Sequence, residues 1–360
     1  MEQRSAKHSH HKIVNPFTVS ITIAPLAESL PQFIEQQNPS AIAVLVDTHT
    51  AKYCYPLVKP LLPKHTLIRI PAGETHKHLG TCETIWAALT KANFDRHGLL
   101  LNLGGGVVGD MGGFCAATYK RGIAFAQLPT TLLSQVDASV GGKLGIDFQG
   151  LKNHIGVFKL PDAVLIDPAF LQTLPPRELR SGFAEVIKHC LIADADEWNR
   201  IRRYDLDDID WAETVAHSVA IKERVVAQDP TEKGLRKMLN FGHTLGHAVE
   251  THFLPRPKGR LLHGEAIAAG MIMEAYIAFR KGMITDLHLE ATEEYLFAVY
   301  GRVPLAQGDF DPILAYTLQD KKNRAGQVRM ALIDGPGHCA YDIPVSKIAM
   351  REALEYYVGN

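Results

Sequence analysis

Two histidines stand four residues apart in His243-Thr244-Leu245-Gly246-His247. On a helix that spacing puts both imidazoles on one face, and neutral imidazole is a common ligand of divalent metals. The spacing resembles a zinc-protease helix. Glu is absent after the first histidine, however, so no general base is built in. His263 follows in Leu262-His263-Gly264-Glu265, and Glu185 opens the run Glu185-Val186-Ile187-Lys188. One carboxylate and two imidazoles would leave a metal with an open position, as catalytic sites require. The chain holds 17 histidines, so chance pairs are expected as well. Spacing alone does not say whether His247 is a ligand or a neighbour.

A second constellation is Gly104-Gly105-Gly106-Val107-Val108-Gly109, which satisfies G-x-G-x-x-G. It follows the apolar run Leu99 to Leu103 and precedes a helical pattern. In that context backbone N–H groups can cradle a pyrophosphate. The acidic residue usually found about 20 positions downstream is missing. The nearest candidate for a ribose lies upstream, at Asp47 on a strand end. A tight structural turn is the competing reading, because glycine-rich turns are common.

The third set is cationic. Arg121, Lys143 and Lys152 stand with Asp137 and Asn153 in a segment rich in small residues. Asp137-Ala138-Ser139-Val140-Gly141-Gly142-Lys143 is nearly free of bulk, so its backbone can press against a ligand. Lys188, Lys222, Arg236 and the pair Lys321-Lys322 add cations further on. Arg suits bidentate capture of carboxylate or phosphate, Lys a point contact. Most surface lysines are merely solvated. The lack of apolar bulk and the nearness to the metal candidates set these apart.

These residues need elements to position them. The first half alternates strands with helical patterns. Ala41 to Val46, His65 to Ile70, Leu99 to Leu103 and Ala163 to Ile166 read as strands, and Leu79 to Asn93 as a helix. Such alternation predicts a parallel sheet covered on both faces. Beyond about residue 178 strand signals nearly vanish. Ala184 to Ala193, Trp211 to Gln228, Leu239 to Thr251, Gly264 to Arg280 and Ile348 to Val358 read as helices. Leu174-Pro175-Pro176 interrupts the chain between the two textures. The expected architecture is α/β: an N-terminal Rossmann-like nucleotide-binding domain over 1–178, then an all-helical metal- and substrate-binding domain over 179–360. The site would lie in the cleft between them.

Composition sets outer bounds. The net charge of −1 gives no global pull toward nucleic acid or an anionic membrane. No apolar run approaches about 18 residues, so no span is expected. Met1 to Lys12, with His8, His10 and His11, reads as a solvated tail without the apolar core of a signal peptide. Five scattered cysteines without CxxC spacing argue against a disulfide framework and fit a reducing cytoplasm.

Several segments together resemble a known family. They are Gly104 to Asp110, Arg121-Gly122, Pro129-Thr130-Thr131-Leu132-Leu133, Asp137 to Lys143, Lys152-Asn153, Leu174 to Glu178, Ala184 to Lys188, Leu239 to His243 and Leu262 to Glu265. In order and spacing they resemble 3-dehydroquinate synthases of the sugar phosphate cyclase superfamily, over about Asp47 to Lys322. The resemblance implies a Zn or Co ion on Glu185, His243 and His263, with His247 contacting substrate. It implies NAD contacts from Asp47, Glu74, Lys77, Gly104, Gly105, Gly106, Val107, Asp110, Thr130, Thr131, Leu133, Phe170, Thr173, Leu174 and Glu178. Substrate contacts would come from Arg121, Asp137, Lys143, Lys152, Asn153, Lys188, Lys222, Arg236, Asn240, His247 and a lysine of the 321–322 pair, Lys322 being preferred. Two positions depart from the family pattern. Leu144 stands where Thr is usual, and His49 falls at a variable position.

The activity so implied is conversion of 3-deoxy-D-arabino-heptulosonate 7-phosphate into 3-dehydroquinate plus phosphate, a step of aromatic amino acid biosynthesis in the shikimate pathway. NAD would be reduced and reoxidised within each turnover, so none is consumed. The resemblance also implies a homodimer. Three rivals stand beside this reading: a metal-dependent polyol dehydrogenase, a cyclase acting on a sugar phosphate without a carboxylate, and a protein that binds metal or nucleotide without turnover.

Overall fold

In the computed structural model, residues 19–149, 151–256, 259–318 and 327–359 are described. Runs such as Ile42-Ala43-Val44-Leu45-Val46 are apolar on both sides, which suits a strand buried on both faces. Eight strands form in the first half. They are β1 (Ile21–Ile23), β2 (Ile42–Asp47), β3 (Thr66–Ile70), β4 (Leu99–Gly104), β5 (Ala124–Pro129), β6 (Lys143–Phe148), β7 (Leu151–Phe158) and β8 (Ala163–Ile166). Six of them make one parallel sheet in the order β1-β8-β5-β4-β2-β3. Alternate residues of β2 enter different cores. Ala43 and Leu45 pack with Ile85 and Met111, whereas Ile42, Val44 and Val46 pack with Leu30 and Leu165. The sheet is thus covered on both faces.

The order has a functional consequence. β3 lies on one side of β2 and β4 on the other, so the chain reverses direction across the sheet between β2 and β4. Loops leaving those two strands diverge and open a crevice at their C-terminal ends. Asp47 ends β2 and Gly104 ends β4, so both border that crevice.

β6 and β7 pair antiparallel as a separate hairpin. These two strands are not among those read from the sequence; they follow the bulk-free stretch Asp137 to Lys143. Leu144, the departure from the family pattern, packs under the helix that starts at the glycine loop. A Cβ on Gly113 of that helix would lie 2.4 Å from Leu144 Cδ2.

The second half is mostly helical. Pro176–Ala193 starts on Pro176, where a missing N–H costs nothing, with Glu178 in its first turn. Trp211–Gln228 is capped by Asp210, which accepts from the amides of Ala212 and Glu213 at 3.0 and 3.1 Å. His243–Phe253 begins later than the expected Leu239, because Gly242 sits at φ 78 and breaks the preceding 3-10 turn Leu235–Asn240. The buried helix His263–Arg280 packs against both Pro176–Ala193 and His243–Phe253. Helices Asp286–Tyr300, Phe310–Thr317 and Lys347–Gly359 complete the layer. Among the described residues, no helix is long and apolar enough to cross a membrane.

One detail of the all-helical expectation is corrected. β9 (Val328–Ile333) and β10 (Cys339–Val345) form an antiparallel hairpin. Short apolar runs carry little period information, and the turn signal Asp334-Gly335-Pro336-Gly337 between them was the usable clue. Lys321, Lys322 and the tail Met1 to Lys12 lie outside the described residues.

Glycines set the helix spacing. A Cβ on Gly264 would lie 1.9 Å from the Ser181 carbonyl oxygen, and one on Gly270 2.0 Å from that of Gly242. Gly264→Ala should therefore destabilise the fold by about 1–3 kcal/mol through overpacking. Gly308→Ala, where nothing lies within 4 Å, should stay within about 0.5 kcal/mol of wild type. Urea unfolding of both variants checks this; equal midpoints would refute the close-approach argument.

Candidate active site

Glu185 is fully buried in the middle of Pro176–Ala193. Its Oε2 receives the Lys188 ammonium one turn on. Its Oε1 makes no hydrogen bond among the described residues and lies 3.5 Å from Nε2 of both His243 and His263. The far sides of these imidazoles are anchored. His243 Nδ1 lies 3.0 Å from the Phe241 carbonyl, and His263 Nδ1 lies 3.3 Å from Glu250 Oε2. With Nδ1–H donated outward, each ring turns its Nε2 toward Glu185, the arrangement in which outer partners orient metal-ligating histidines. His247 completes a set of three imidazoles whose ligand atoms lie within 4.8 Å of one another, and it is the most exposed of them.

Electrostatics fit the same donor set. Burial, and then the Lys188 charge, hold His243 well below its ordinary pKa, so the ring is neutral. Burial disfavours the Glu185 charge, but Lys188, His243 and His263 outweigh it and keep the carboxyl well below its usual range. Burial also disfavours charge on His263, yet Glu250 and Glu185 lift it to about 9. A proton there is what a metal ion would displace. An ionised carboxylate with an unused buried oxygen, facing two oriented imidazoles, fits one divalent cation.

A network of ion pairs joins the two halves. Lys152 on β7 meets Glu250 of the histidine helix at 2.6 Å, with Glu74 at 3.7 Å. Lys143 pairs with Glu232, and Asn240 donates to the other Glu232 oxygen at 2.6 Å. Lys222 meets Asp137 Oδ1 at 2.5 Å. Burial pulls its pKa down to about 8, against the opposing pull of Asp137. Burial would raise Asp137, but Lys222 holds its carboxyl far below the usual range. Arg236 is buried and donates to the carbonyls of Pro230 and Gly141 at 2.7 and 3.1 Å. Its Nε has no hydrogen bond, and it has no ion pair among the described residues.

The dinucleotide candidates line the crevice at the C-terminal ends of the strands. Gly105 and Gly106 with Val107 open the helix Gly106–Thr118, whose N-terminus suits a phosphate. Thr131 backs Gly105, its Cγ2 lying 3.1 Å from where a Cβ would sit. Asp110 on that helix binds Lys77 at 2.6 Å, and Lys77 also donates to Asn153 at 2.6 Å. Asp47 Oδ1 accepts from the amides of His49 and Thr50, which shapes the turn after β2. Thr130 and Leu133 follow β5. Phe170, Thr173 and Leu174 follow β8, where Thr173 caps the Phe170 carbonyl at 3.0 Å. Glu178 begins the next helix, its pKa raised by burial.

Arg121 is the exception. It is exposed, beyond the far end of Gly106–Thr118 and on the opposite side of the sheet from the glycine loop. Within one chain it is not brought to the cluster.

Sequence reasoning missed Glu232, Glu250, His189 and Glu274. Glu274 is buried and accepts from the amides of Gly242 and Leu245 at 2.7 and 3.0 Å, fixing the start of the histidine helix. Its position eleven residues after His263 lies on the same helical face, which was the available signal.

Two family models cover most of the chain. "3-dehydroquinate synthase N-terminal" matches residues 67–181 and "3-dehydroquinate synthase C-terminal" residues 182–323. A curated 3-dehydroquinate synthase of Parabacteroides distasonis is 39% identical over 92% of this chain and 95% of its own length. Among solved structures, the chain resembles a 2-epi-5-epi-valiolone synthase from Streptomyces hygroscopicus subsp. jinggangensis 5008 with NAD+ and Zn2+ bound. The TM-score is 0.85 and the identity 25%, with 99% of each chain covered. It also resembles a 2-deoxy-scyllo-inosose synthase complexed with carbaglucose-6-phosphate, NAD+ and Co2+, at TM-score 0.80 and 26% identity over 93% and 96% of the chains.

His189 yields a pH test. It is fully buried, with Nδ1 2.6 Å from Ser218 Oγ and Nε2 3.8 Å from Asp137. Burial, helped by Lys188, lowers its pKa from 6.5 to about 3. Between those values the unfolded chain binds the extra proton. The group's contribution is thus complete above about pH 6.5 and lost as pH falls toward 3. His189→Gln should flatten the acid limb, and its difference from wild type should shift by up to about 1.4 kcal/mol per pH unit. Parallel urea-unfolding profiles for the two proteins between about pH 6 and 4 would contradict this.

Proposed function

We infer the chemistry from a plain premise: the chain belongs to the 3-dehydroquinate synthase family. Its reaction converts 3-deoxy-D-arabino-heptulosonate 7-phosphate into 3-dehydroquinate and phosphate, with NAD and one divalent metal, zinc or cobalt, as cofactors. The crevice between Asp47 and the glycine loop would hold NAD, which would supply reversible hydride transfer, and Glu185, His243 and His263 would hold the metal, which would supply Lewis-acid polarisation. The observation that carries the site assignment is the unused Glu185 Oε1 facing two oriented Nε2 atoms.

Within this reading Glu185, His243 and His263 hold the metal, and His247, the exposed imidazole, faces substrate. Asp47 and the glycine loop flank the cofactor at the crevice. Glu74, Lys77, Asp110, Thr130, Thr131, Leu133, Phe170, Thr173, Leu174 and Glu178 line its path. Lys143, Lys152 and Asn153 take the phosphate end. Arg236 takes the carboxylate, supported by its burial without an acidic partner, and Lys222 the carboxylate or ring oxygens. Asp137 holds Lys222 in place, and Lys188 keeps Glu185 charged. Asn240 and Lys322 add polar contacts. We place the domain junction at 178/179, in the first turn of Pro176–Ala193 and after the last strand of the sheet. The protein works in the cytoplasm as a homodimer. Arg121 would then act only on a site presented by the second copy.

Phosphate release tests the reaction. The heptulosonate phosphate should turn over with catalytic NAD, and sedoheptulose 7-phosphate, which lacks the carboxylate, hardly at all. Equal rates on the two sugars would reject the carboxylate assignment, and NADH accumulating one for one with product would favour a dehydrogenase. Arg236→Met should lose at least about a hundredfold in kcat/KM on the keto acid, the low end of what two charge-assisted hydrogen bonds supply. Its metal content should be intact, although its melting point should drop because two carbonyls lose their donor.

Chelation gives a separate check. Removing the metal should abolish turnover, and Zn2+ or Co2+ should restore it. His263→Ala should lose at least about a hundredfold, the loss of several kcal/mol of charge stabilisation. A variant with normal metal content and rate would remove His263 from the ligand set.

A further inference from the structure

Glu250 lies on the same face of the histidine helix as His243 and His247, at spacings of seven and three residues. It is buried, and its two oxygens face different partners. Oε2 lies 3.3 Å from His263 Nδ1, and Oε1 lies 2.6 Å from Lys152 Nζ. The two partners belong to different halves of the chain. His263 opens the central helix of the second half, and Lys152 comes from the β6–β7 hairpin of the first. A single carboxylate therefore stands between a candidate metal ligand and a lysine assigned to the phosphate end.

We propose that Glu250 is a positioning residue that couples metal binding to anion binding, an inference that rests on the metal and phosphate assignments above. A carboxylate on Nδ1 fixes the tautomer of His263 and makes its Nε2 a stronger donor to a metal. Lys152 draws charge from the same carboxylate. An anion that engages Lys152 loosens its hold on Glu250, which then binds His263 more strongly and tightens the metal. Thermodynamic linkage makes the effect mutual: the metal tightens the anion by the same factor. Glu74, 3.7 Å from Lys152, offers the lysine a second carboxylate during this exchange. The lysine is never left with the substrate anion alone, and Glu250 remains free to serve His263.

The test uses the full chain, Co2+ as the metal and inorganic phosphate as the anion. Cobalt affinity is measured by competition with a chelator, with and without phosphate, and the cobalt absorption spectrum reports coordination. In wild type, saturating phosphate should tighten cobalt by roughly fivefold, the low end of ordinary coupling energies. Glu250→Gln should weaken cobalt about 10–100-fold, as loss of an outer-shell carboxylate does, and its coupling factor should fall to about one. Unchanged cobalt affinity in Glu250→Gln would overturn the proposal. Retained coupling would also overturn it, because phosphate would then be acting on the metal directly. If Glu250→Gln does not fold, Lys152→Met decides: cobalt tightened to about the phosphate-saturated wild-type level, with no further response to phosphate, supports the proposal, and cobalt affinity unchanged or weakened overturns it. A wild type that binds cobalt without coupling defeats this inference alone. A wild type that binds no cobalt defeats the metal assignment as well.

Discussion

An ionised carboxylate deep in a protein is costly unless charges of opposite sign surround it. Glu185 has no solvent exposure and one oxygen without a hydrogen bond. Lys188 answers one side of it, and the two imidazoles face the other. That group can exist only if three helices meet at close quarters. Ser181, one turn before Glu185, both accepts from the Gly264 amide at 3.0 Å and leaves no room for a side chain there. Gly242, Gly246 and Gly270 let the histidine helix approach His263–Arg280 backbone to backbone. The buried Glu274 supplies the acceptor that the histidine helix lacks at its own start, where Gly242 has no side chain to cap it.

Around this centre the cations are engaged by weak or replaceable partners. Lys143, Lys152 and Lys222 each hold an acidic side chain, and Arg236 holds two carbonyls. A buried ion pair is close to break-even against its own desolvation. Exchanging an internal carboxylate for a substrate phosphate keeps each lysine paired, and its cost is set by how well the displaced carboxylate is taken up by another partner or by water. Arg236 differs, because among the described residues it has no ion-pair partner to exchange. A neutral group placed against it would leave its charge uncompensated, whereas a carboxylate would complete it. On the proposed assignment of Arg236, selection for a carboxylate would come as much from what the site penalises as from what it binds.

Much of this was legible in the chain. The strands β2 and β8 are apolar runs up to their ends, β4 is one interrupted only by Asn102, and Trp211–Gln228 is bounded by an acidic cap, so their patterns speak directly. The ligand candidates were legible as residue types at helical spacing. The partners that orient them were not. Glu250 and Glu274 look like ordinary helix-surface glutamates, and Glu232 like a loop glutamate, until the fold places an imidazole, a helix N-terminus or a lysine against them. The start of the histidine helix was misjudged because a glycine at φ 78 leaves no periodic trace. β9 and β10 were missed because six or seven residues are too few to separate a strand from a buried helical turn.

The upstream position of Asp47 follows from topology. In an ordinary dinucleotide fold the glycine loop follows the first strand, and the ribose-binding acid ends the next strand in sequence. Here the glycine loop follows β4, whose sheet neighbour β2 precedes it in the chain. The neighbouring strand end therefore carries an acid about sixty residues earlier instead of twenty later. The same crossover leaves β5 and β8 on the other flank of β4, so the segments after them, with Thr130 and Thr173, reach the crevice from the opposite side. The segment after β5 runs on through Asp137 into the β6–β7 hairpin, which delivers Lys143, Lys152 and Asn153. One reversal in strand order thus opens the crevice between Asp47 and Gly104, and the chain that leaves β5 carries the hairpin with Lys143, Lys152 and Asn153 to the helices that hold Glu185, His243 and His263.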